Sequence, residues 1–430
     1  MKNPSIEEIY KVYLQHPIVC TDTRNIKTGS MFFALKGANF NANEFAKEAL
    51  SKGSSFAVID EEKYYSDKCI LVPDVLETIQ KLATHHRRQF TIPIIGITGT
   101  NGKTTTKELT ATVLSKKYKT LFTQGNLNNH IGVPLTLLNL TKEHGIAVIE
   151  MGANHVGEID QLCRIAEPDY GIITNIGKAH LEGFGGYEGV IKAKSELYKY
   201  IKGKEGELFV NADDDLLMSL CDGIYLTYGT SQAADTRGIQ DKDSFLAKGK
   251  IELIDGEDIE ISSSLAGSYN FYNILAAACI GFYFGVSANQ IKEAIETYIP
   301  SNNRSQVVKK GSNIIWIDAY NANPSSMKMA IENFISLNVP GKIVILGDMF
   351  ELGVDSAKEH QAIADLIEGH KDWTGVYLIG KEFSKIKSSG KLFASVEEFM
   401  QWFSAHPFKD ATILLKGSRG MKMEAILEKI

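Results

Sequence analysis

The sequence predicts an α/β protein of three domains, and three observations lead to this prediction. At 430 residues the chain is longer than one ordinary hydrophobic core requires, and its length suggests about three domains. Short apolar runs alternate with helical patterns, which is typical of parallel strands joined by helices. One apolar run leads through a glycine-rich turn directly into a helical pattern, which predicts a tight loop at the edge of such a sheet.

The first block, residues 1–92, mixes short strands with helices and is predicted to be a small α/β domain. Its strand patterns are residues 31–35, 56–59 and 70–72, and its helical patterns are residues 44–52 and 75–90. Pro93 opens the second block, because proline punctuates the pattern there.

The second block, residues 93–303, is predicted to hold parallel strands with helices on both faces. Its strand patterns are residues 94–98, 146–150 and 170–175, and a long apolar helix is predicted at 268–284. The polar segment 229–250 is not placed by its pattern. After a loop at 300–303, the third block, residues 304–430, has buried strand patterns at 313–318, 342–346, 376–379 and 411–415 between amphipathic helices.

The composition is that of a soluble globular protein, with 44% hydrophobic residues, 23% charged residues and a net charge of -6. This mild acidity argues against nucleic acid as the main partner. The longest apolar stretch, residues 275–286, is too short for a membrane helix, and the N-terminus lacks the apolar core of a signal peptide. We therefore expect a cytoplasmic protein without membrane insertion.

The cysteines lie far apart and have no Cys-x-x-Cys spacing; they are Cys20, Cys69, Cys163, Cys221 and Cys279. Such spacing favours reduced, buried thiols over a disulfide framework or a zinc site.

The most informative stretch is Gly96-Ile-Thr-Gly-Thr-Asn-Gly-Lys-Thr104, which follows a strand pattern and precedes a helical one. A glycine-rich turn before a helix directs backbone N–H groups at a phosphate. Lys103 adds a cation for the terminal phosphates, and the Thr104 hydroxyl is a ligand for Mg²⁺. The P-loop match is imperfect, because Ile97 stands where a glycine is expected and Gly99 makes the turn. A plain tight turn, the alternative, gives no reason for a lysine and two threonines at the loop's exit.

Three further polar side chains follow in the second block. Glu150 ends a strand pattern, where open α/β sheets bind ligands, and its carboxylate suits Mg²⁺ beside a phosphate loop. His180 follows another strand, and Lys194 lies in a helical segment. Taken singly, the histidine is more often a surface or hydrogen-bonded residue and the lysine a solvated cation.

Together these motifs resemble the ATP-dependent Mur ligases of peptidoglycan synthesis, over nearly the whole chain. The motifs are Thr21-Asp-Thr-Arg24, Ala34-Leu-Lys-Gly37, Gly99-Thr-Asn-Gly-Lys-Thr104, Gly125-Asn-Leu-Asn-Asn-His-Ile-Gly-Val-Pro134, Glu150-Met-Gly-Ala-Asn-His155, Asn175-Ile-Gly-Lys-Ala-His-Leu-Glu-Gly-Phe-Gly185, Lys192-Ala-Lys194, Asn270-x-x-Asn273, Asp318-Ala-Tyr-Asn-Ala-Asn-Pro324, Leu346-Gly-Asp-Met349 and Lys416-Gly-Ser-Arg419. The Gly-Ala-Asn-His, Ala-His-Leu-Glu-Gly-Phe-Gly and Tyr-Asn-Ala-Asn-Pro strings favour the member that adds D-alanyl-D-alanine.

The resemblance implies a UDP-binding N-terminal domain, a central P-loop ATPase domain with a parallel sheet and a C-terminal Rossmann-like domain. It implies that ATP activates the terminal carboxylate of UDP-N-acetylmuramoyl-tripeptide as an acyl phosphate, which the amine of D-alanyl-D-alanine then attacks. Because carboxylate and phosphate are both anions, cations and N–H donors must neutralise the two, and positioning does most of the catalysis.

The resemblance also implies roles at the phosphates. The residues matching the ATP loop are Gly99, Thr100, Asn101, Gly102, Lys103, Thr104 and Thr105. Thr104 and Glu150 would hold one Mg²⁺, and His180 and Lys194 a second, so that Lys103, His180 and Lys194 are the catalytic set. Because an ammonium cannot bind a cation, the family implies that Lys194 is carbamylated to an oxygen-donor anion. Lys192 is the rival position for this modification.

For the nucleotide, the resemblance implies that Asn273 recognises adenine, that Arg304 reaches the phosphates and that Asp318 reaches the ribose. Asn270 is equally well explained as a helix cap. Many relatives have His where Tyr269 stands. If Asp318 reaches the ribose, closure of the third block on the second completes the site.

For the other substrates, the motifs imply UDP contacts from Thr23, Arg24, Lys36 and Gly37, and muramoyl-peptide contacts from Asn126, Asn128 and Asn129. The asparagines are alternatively turn residues. The loop 39–43 has Asn where many relatives carry Asp and His, so uracil recognition there stays open. The candidates for D-alanyl-D-alanine are Tyr320, Asn321 and Asn323. The motif that ends at Arg419 is either a second anion contact or a basic loop.

Two other functions stay open. A ligase that adds an earlier peptide residue, or glutamate to folate, uses the same ATP chemistry. A P-loop switch without ligase activity is the second alternative, and it needs neither Lys194 nor the Asp318 motif nor a third domain. The family expectation for the oligomeric state is a monomer.

Overall fold

The structure is a computed structural model that describes residues 4–241, 244–300 and 303–430. The chain divides into two compact units. The first comprises Met1–Gly96, Tyr118–Ala153 and Gly157–Gly171, and the second Ile97–Lys117, Asn154–Val156 and Ile172–Ile430. The glycine-rich loop therefore belongs to the second unit, and Glu150 to the first.

The strands are named in chain order. They are β1 (Val19–Cys20), β2 (Met31–Phe33), β3 (Lys36–Gly37), β4 (Phe40–Asn41), β5 (Phe56–Ile59), β6 (Cys69–Leu71), β7 (Ile94–Thr98), β8 (Thr120–Phe122), β9 (Ile146–Glu150), β10 (Tyr170–Ile173), β11 (Glu207–Asn211), β12 (Ile224–Gly229), β13 (Thr236–Gln240), β14 (Leu246–Glu252), β15 (Asp258–Ala266), β16 (Gln306–Lys310), β17 (Asn313–Asp318), β18 (Lys342–Gly347), β19 (Gly375–Ile379), β20 (Lys391–Phe393) and β21 (Thr412–Lys416). The predicted bounds are correct for β5, β7, β9 and β17, and β10 ends two residues earlier than predicted.

The helices are named in the same way. They are α1 (Ile6–Gln15), α2 (Ala46–Ser51), α3 (Val75–Arg87), α4 (Lys103–Leu114), α5 (Gly132–Leu137), α6 (Glu158–Ala166), α7 (Leu181–Phe184), α8 (Tyr187–Gly203), α9 (Asp215–Leu220), α10 (Asn270–Tyr283), α11 (Ala288–Thr297), α12 (Pro324–Ser336), α13 (Ser356–Glu368) and α14 (Val396–Ala405). α3 is shorter than predicted, and the first residues of the helix predicted at 44–52 form a 3-10 turn, Ala42–Phe45.

The first unit contains a parallel sheet in the order β1-β2-β5-β6 and a small β3-β4 hairpin. In the same unit, β8 and β9 pair in parallel. They end a sheet with the order β10-β7-β9-β8, and only the first residues of β7 and β10 belong to this unit. Parallel strands bring their carboxyl ends to one edge, which is where open α/β sheets bind ligands.

In the second unit the strand order is β15-β14-β13-β12-β11-β10-β7. β11, β12 and β13 pair in parallel, but β14 and β15 form an antiparallel extension of the sheet. The segment that the sequence pattern did not place, residues 229–250, contains β13 and the start of β14; its residues 242 and 243 lie outside the described residues. The predicted parallel strands are confirmed for β11, β12 and β13, and the antiparallel strands β14 and β15 extend them at one edge. β15 alternates buried and exposed residues, the pattern of a strand with one solvated face.

The third block carries a sheet in the order β16-β17-β21-β18-β19-β20. Its strands pair in parallel except for β16, which runs antiparallel to β17 at the edge. The core on one side of this sheet centres on Trp316, which is fully buried and contacts the rings of Phe245 and Tyr269. These two residues come from the second block, so the two blocks share a core within this unit.

The α/β class with several domains is confirmed, whereas the domain bounds 1–92, 93–303 and 304–430 stay predictions. Part of the predicted junction loop, residues 301 and 302, lies outside the described residues. All five cysteines are free thiols, but only Cys69, Cys163 and Cys279 are buried, so the prediction of burial is wrong for Cys20 and Cys221. Among the described residues, no helix has the length and apolarity to cross a bilayer.

His86 of α3 makes the stability of the first unit depend on pH. It is buried, donates from Nε2 to the Leu140 carbonyl at 3.0 Å and accepts at Nδ1 from the Tyr10 hydroxyl at 3.0 Å, an assignment that requires the neutral ring. Burial lowers the pKa of His86 below its ordinary value of about 6.5. The unfolded chain therefore binds a proton more readily, so this contribution is present above about pH 6.5 and is lost as the pH falls below it.

We expect the midpoint of urea unfolding to fall between pH 7.5 and pH 5.5, and His86→Gln to reduce that fall. His130→Gln, at an exposed histidine of the same unit, is the matched control and should keep the wild-type dependence. Equal pH dependence in all three proteins would contradict this role of His86.

Candidate active site

The glycine-rich loop runs from the end of β7 to the start of α4, and two of its glycines permit close contacts. Gly99 has φ +143°, and a Cβ there would lie 2.0 Å from Thr174 Oγ1. Gly102 has φ +78°, and a Cβ there would lie 2.6 Å from Asn273 Oδ1. Any other residue would both clash and strain the backbone, so the spacing of these glycines is a steric requirement.

Hydrogen bonds tie the loop to the segment that follows β10. The Thr100 N–H donates to the Asn175 carbonyl at 2.9 Å, and the Asn101 N–H donates to Asn175 Oδ1 at 3.0 Å. The Gly177 N–H donates to Thr100 Oγ1 at 2.9 Å. The Asn175-Ile-Gly177 sequence therefore fixes the course of the loop.

The start of α4 has the features of an anion site. Gly102 occupies its N-cap position, and a glycine has no side chain with which to cap the first N–H groups of the helix. Lys103 Nζ donates to the carbonyls of Gly99 at 2.6 Å and Thr100 at 2.8 Å. The ammonium thus lies across the loop, beside N–H groups that can bind a phosphate.

His180 lies close to two lysines that the sequence also places in the site. Burial is the largest influence lowering the pKa of its imidazole, and the charges of Lys103 and Lys194 lower that pKa further. Glu351, whose carboxylate contacts His180 Nδ1, opposes them. The structure therefore brings the three predicted catalytic residues together and favours the neutral imidazole, the form that binds metals.

Lys194 lies on α8 and is 2% exposed, whereas Lys192 is exposed. Lys194 Nζ lies 5.3 Å from the centre of the Phe184 ring. That ring meets His180 edge to face, with centroids 6.4 Å apart. A buried amine beside a candidate metal ligand suits the predicted modification of Lys194 better than the exposed Lys192 does.

Asn273 of α10 lies against Gly102 of the glycine-rich loop and against α4. Its Oδ1 accepts from the Thr106 hydroxyl at 3.0 Å, and its Nδ2 donates to Asn270 Oδ1 at 2.8 Å. The capping interpretation of Asn270 is wrong, because α10 begins at Asn270 and Tyr269 occupies the N-cap position. Adenine recognition by Asn273 stays a prediction.

The carboxyl ends of β17 and β21 hold a buried ion pair. Their parallel register places Asp318 opposite Lys416, which is 1% exposed, and Lys416 Nζ contacts Asp318 Oδ2. The Ser305 N–H donates to the other carboxylate oxygen, Asp318 Oδ1, at 3.4 Å. Asp318, the predicted ribose ligand, is thus oriented through both oxygens, and Lys416 is an internal partner and not part of an exposed basic loop.

Two arginines approach Tyr320, one of the residues predicted for the dipeptide. Arg304 Cζ lies 3.5 Å from the centre of the Tyr320 ring, and Arg419 Cζ lies 5.1 Å from it. Arg419 Nη1 also donates to the Tyr320 hydroxyl at 3.2 Å. Stacking on an aromatic face orients a guanidinium while its N–H groups stay available to an anion.

Asn323 joins the third block to the glycine-rich loop. Its Oδ1 caps α12 by accepting from the Ser326 N–H at 2.9 Å, and its Nδ2 donates to Asn101 Oδ1 at 2.8 Å. The neighbouring Asn321 places its carbonyl 3.4 Å from Lys416 Nζ. The proposed contacts of both asparagines with the dipeptide stay predictions.

In the first unit, Glu150 ends β9 and is 1% exposed. Asn128 Nδ2 donates to Glu150 Oε1 at 2.8 Å, and the Glu150 N–H donates to Thr123 Oγ1 at 2.9 Å. The carboxylate is therefore buried and oriented, as a metal ligand must be.

The three asparagines predicted to hold the muramoyl-peptide have different surroundings. Asn126 is exposed, and Asn128 orients Glu150. Asn129 Oδ1 accepts from the two backbone N–H groups that open α5, at 3.1 and 2.9 Å. The turn interpretation is thus correct for Asn129, and a substrate role for all three stays a prediction.

The predicted UDP residues lie at one edge of the first sheet. Thr23 and Arg24 follow β1, and Lys36 and Gly37 follow β2, which runs parallel to β1. Lys36 Nζ lies 3.0 Å from Oδ1 of Asp60, whose side chain is 4% exposed. This buried carboxylate fixes Lys36 at the edge where a ligand is expected.

The predicted ligands are of types that magnesium accepts. Within the second unit they are the Thr104 hydroxyl and the neutral imidazole of His180, and within the first unit the Glu150 carboxylate; these are hard or borderline ligands. Among the residues that the structure describes, no three or more His, Cys, Asp or Glu side chains form a cluster that could hold a metal by themselves. Mg²⁺ commonly binds through one or two protein groups and the phosphates of a nucleotide, so this arrangement suits a nucleotide-bound ion.

Sequence reasoning missed Glu351, which contacts His180. The preceding motif that ends at Met349 indicated a functional loop but not which side chain carries the function. Glu351 has φ +63°, a conformation that no composition rule predicts for glutamate.

Comparison with known proteins accounts for most of the chain. The profile of the Mur ligase middle domain matches residues 97–281. The profile described as Mur ligase, glutamate ligase domain matches residues 303–419.

Among curated proteins, UDP-N-acetylmuramoyl-tripeptide–D-alanyl-D-alanine ligase of Bacillus subtilis is 35% identical, over 95% of this chain and 92% of that protein. The protein of the same name from Escherichia coli is 32% identical over the same shares.

Solved structures agree with these sequence comparisons. MurF from Acinetobacter baumannii has a TM-score of 0.84 at 31% identity and covers 95% of this chain and 92% of that one. MurF ligase from Thermotoga maritima in complex with ADP has a TM-score of 0.86 at 28% identity, over 97% of both chains. The profile and sequence matches show that the chain belongs to the Mur ligase family, and the glycine-rich loop, Lys103, Lys194 and His180 in one site agree with this.

Proposed function

We propose that the protein is an ATP-dependent amide ligase that joins D-alanyl-D-alanine to UDP-N-acetylmuramoyl-tripeptide. The observation that carries this proposal is the convergence of Lys103, His180 and Lys194 near the N-terminus of α4, whose N-cap residue is a glycine. The names shared by the curated relatives support the choice of substrates. We place the reaction in the cytoplasm, with a monomeric enzyme, as one step of peptidoglycan precursor synthesis.

The reaction needs two anions to meet. An oxygen of the tripeptide carboxylate attacks the γ-phosphorus of ATP, and the bond to the β,γ-bridging oxygen breaks, giving an acyl phosphate and ADP. Lys103 and the N–H groups of the loop offset the charge on the transferring phosphoryl group. The dipeptide amine then attacks the acyl carbon and loses a proton, and the tetrahedral intermediate expels phosphate to leave the amide.

Magnesium would supply further neutralisation of the phosphate charge, and we propose two ions. Thr104 and Glu150 are the ligands proposed for one, and His180 and carbamylated Lys194 for the other. Asn273 would bind the adenine of the nucleotide, Arg304 its phosphates and Asp318 its ribose. Thr23, Arg24, Lys36 and Gly37 would bind the UDP group, and Asn126, Asn128 and Asn129 the muramoyl-peptide.

The first test is phosphate release with Mg-ATP and UDP-N-acetylmuramoyl-tripeptide, with and without D-alanyl-D-alanine. We expect release to depend on the dipeptide and to accompany formation of the UDP-N-acetylmuramoyl-pentapeptide. Release that another amino acid supports in place of the dipeptide would favour a related ligase. Slow hydrolysis that no acceptor stimulates would favour a nucleotide-dependent switch and overturn the proposal.

Carbamylation of Lys194 would join the neutral amine to CO₂ with loss of one proton, giving an anion that a metal can bind. We expect Lys194→Ala to lower kcat by at least about 100-fold, since the loss of a mere outer partner of a metal ligand already costs about 10- to 100-fold. We also expect a carbamate signal in the carbon NMR spectrum after labelling with ¹³C-bicarbonate. Lys192→Ala is the matched control, because it removes the exposed lysine two residues earlier. Full activity of Lys194→Ala in bicarbonate-free buffer would end this assignment.

We propose that Arg419 binds the terminal carboxylate of the dipeptide, and its contact with Tyr320, a residue predicted for the dipeptide, supports this role. We expect Arg419→Ala to raise the KM for D-alanyl-D-alanine about 10- to 100-fold, the loss of about 1.5–3 kcal/mol expected for a hydrogen bond to a charged group. The KM for ATP should stay within about twofold, whereas Arg304→Ala should raise it. Equal effects of Arg419→Ala on both constants would show a structural role instead.

A further inference from the structure

The loop after β18 carries Glu351 to His180, although the two residues are far apart in sequence. Glu351 Oε2 contacts His180 Nδ1 and pairs its carboxylate with that imidazole. Both residues have left-handed backbones, with φ +63° at Glu351 and φ +50° at His180. Non-glycine residues adopt this conformation at a cost, which the surrounding contacts must offset.

Buried anchors on both sides of Glu351 hold this loop. Met349 is 1% exposed and its N–H donates to His360 Nε2 at 3.0 Å, while Leu352 is 2% exposed. The Phe350 N–H donates to the Ser418 hydroxyl at 2.9 Å. The carboxylate itself is exposed, so its place is set by the backbone and not by burial of the side chain.

The loop also contacts α7, the helix that directly follows His180. A Cβ on Gly353, which has φ +53°, would lie 3.3 Å from Glu182 Cβ on α7. The approach of the loop to α7 is therefore close at two points, Glu351 and Gly353. If only the Glu351 side chain reached His180, the loop backbone at Gly353 would not also lie close to α7.

We propose that Glu351 is a positioning residue that orients His180 for metal binding. The inference rests on the proposed function, in which His180 is a metal ligand. A histidine that binds a metal through one ring nitrogen generally donates its other N–H to a carboxylate or carbonyl, which fixes the tautomer and the ring direction. Glu351 accepts from Nδ1–H and leaves the Nε2 lone pair for the metal.

This arrangement links the metal site to the third block. His180 belongs to the second block, and Glu351 belongs to the third, so the ring is oriented only when the two blocks are in contact as they are in this unit. A second contact of the same kind offers a control. Lys178 Nζ lies 2.7 Å from Glu359 Oε1, which joins the same two blocks but does not touch His180.

The test compares Glu351→Gln and Glu351→Ala with Glu359→Gln. The first readout is the affinity for Mn²⁺ in the presence of a non-hydrolysable ATP analogue, followed by electron paramagnetic resonance. The second is the tautomer of His180 in ¹⁵N NMR spectra of the ring. We expect Glu351→Ala to weaken Mn²⁺ binding about 10-fold and to mix the tautomers, Glu351→Gln to do so less, and Glu359→Gln to change neither.

His180→Ala separates this inference from the proposed function. Unchanged Mn²⁺ affinity in His180→Ala would overturn the role of His180 as a ligand, and this inference with it. Weaker binding in His180→Ala together with unchanged binding and tautomer in Glu351→Ala would overturn only the role of Glu351. Equal losses in Glu351→Ala and Glu359→Gln would show that both pairs merely hold the blocks together, which also contradicts the inference.

Discussion

The site depends on the close approach of the glycine-rich loop to its neighbours. The absence of a Cβ at Gly99 and Gly102 lets Thr174 and Asn273 lie against the loop from two sides. Two backbone N–H groups of the loop donate to Asn175, and the Thr100 hydroxyl accepts from the Gly177 N–H, so the N–H groups at the start of α4 have one direction. An anion site made of N–H groups needs such rigidity, since preorganised dipoles require no rearrangement when charge develops.

Much of the fold could be predicted from the sequence, because its strands are short apolar runs with sharp ends. β7 and β9 have exactly the bounds that their apolar residues indicate, and both are fully buried. The antiparallel strand β14 could not be placed, since its apolar residues do not alternate regularly and two lysines and a glycine lie between them. A strand of this kind is defined by its pairing partner more than by its own composition.

The candidate site was predictable where a motif carries the chemistry, and not where only the tertiary structure does. Lys103, His180 and Lys194 belong to motifs, and the fold brings them together. Glu351 reaches His180 through a left-handed backbone between two buried anchors, which no local pattern reveals. Lys416 was recognised as basic, but its burial against Asp318 follows from the register of β17 and β21.

Asparagine side chains undergo slow deamidation, and the residue that follows Asn323 prevents this reaction. Its amide oxygen caps α12 and its amide nitrogen donates to Asn101 of the loop, so hydrolysis to aspartate would remove the donor and place a negative charge beside the Asn101 oxygen. Asparagine deamidates in this way when the backbone nitrogen of the next residue attacks the side-chain amide. Here the next residue is Pro324, which has no N–H to give up. The proline that begins the helix thus also protects the amide from slow spontaneous damage during the life of the protein.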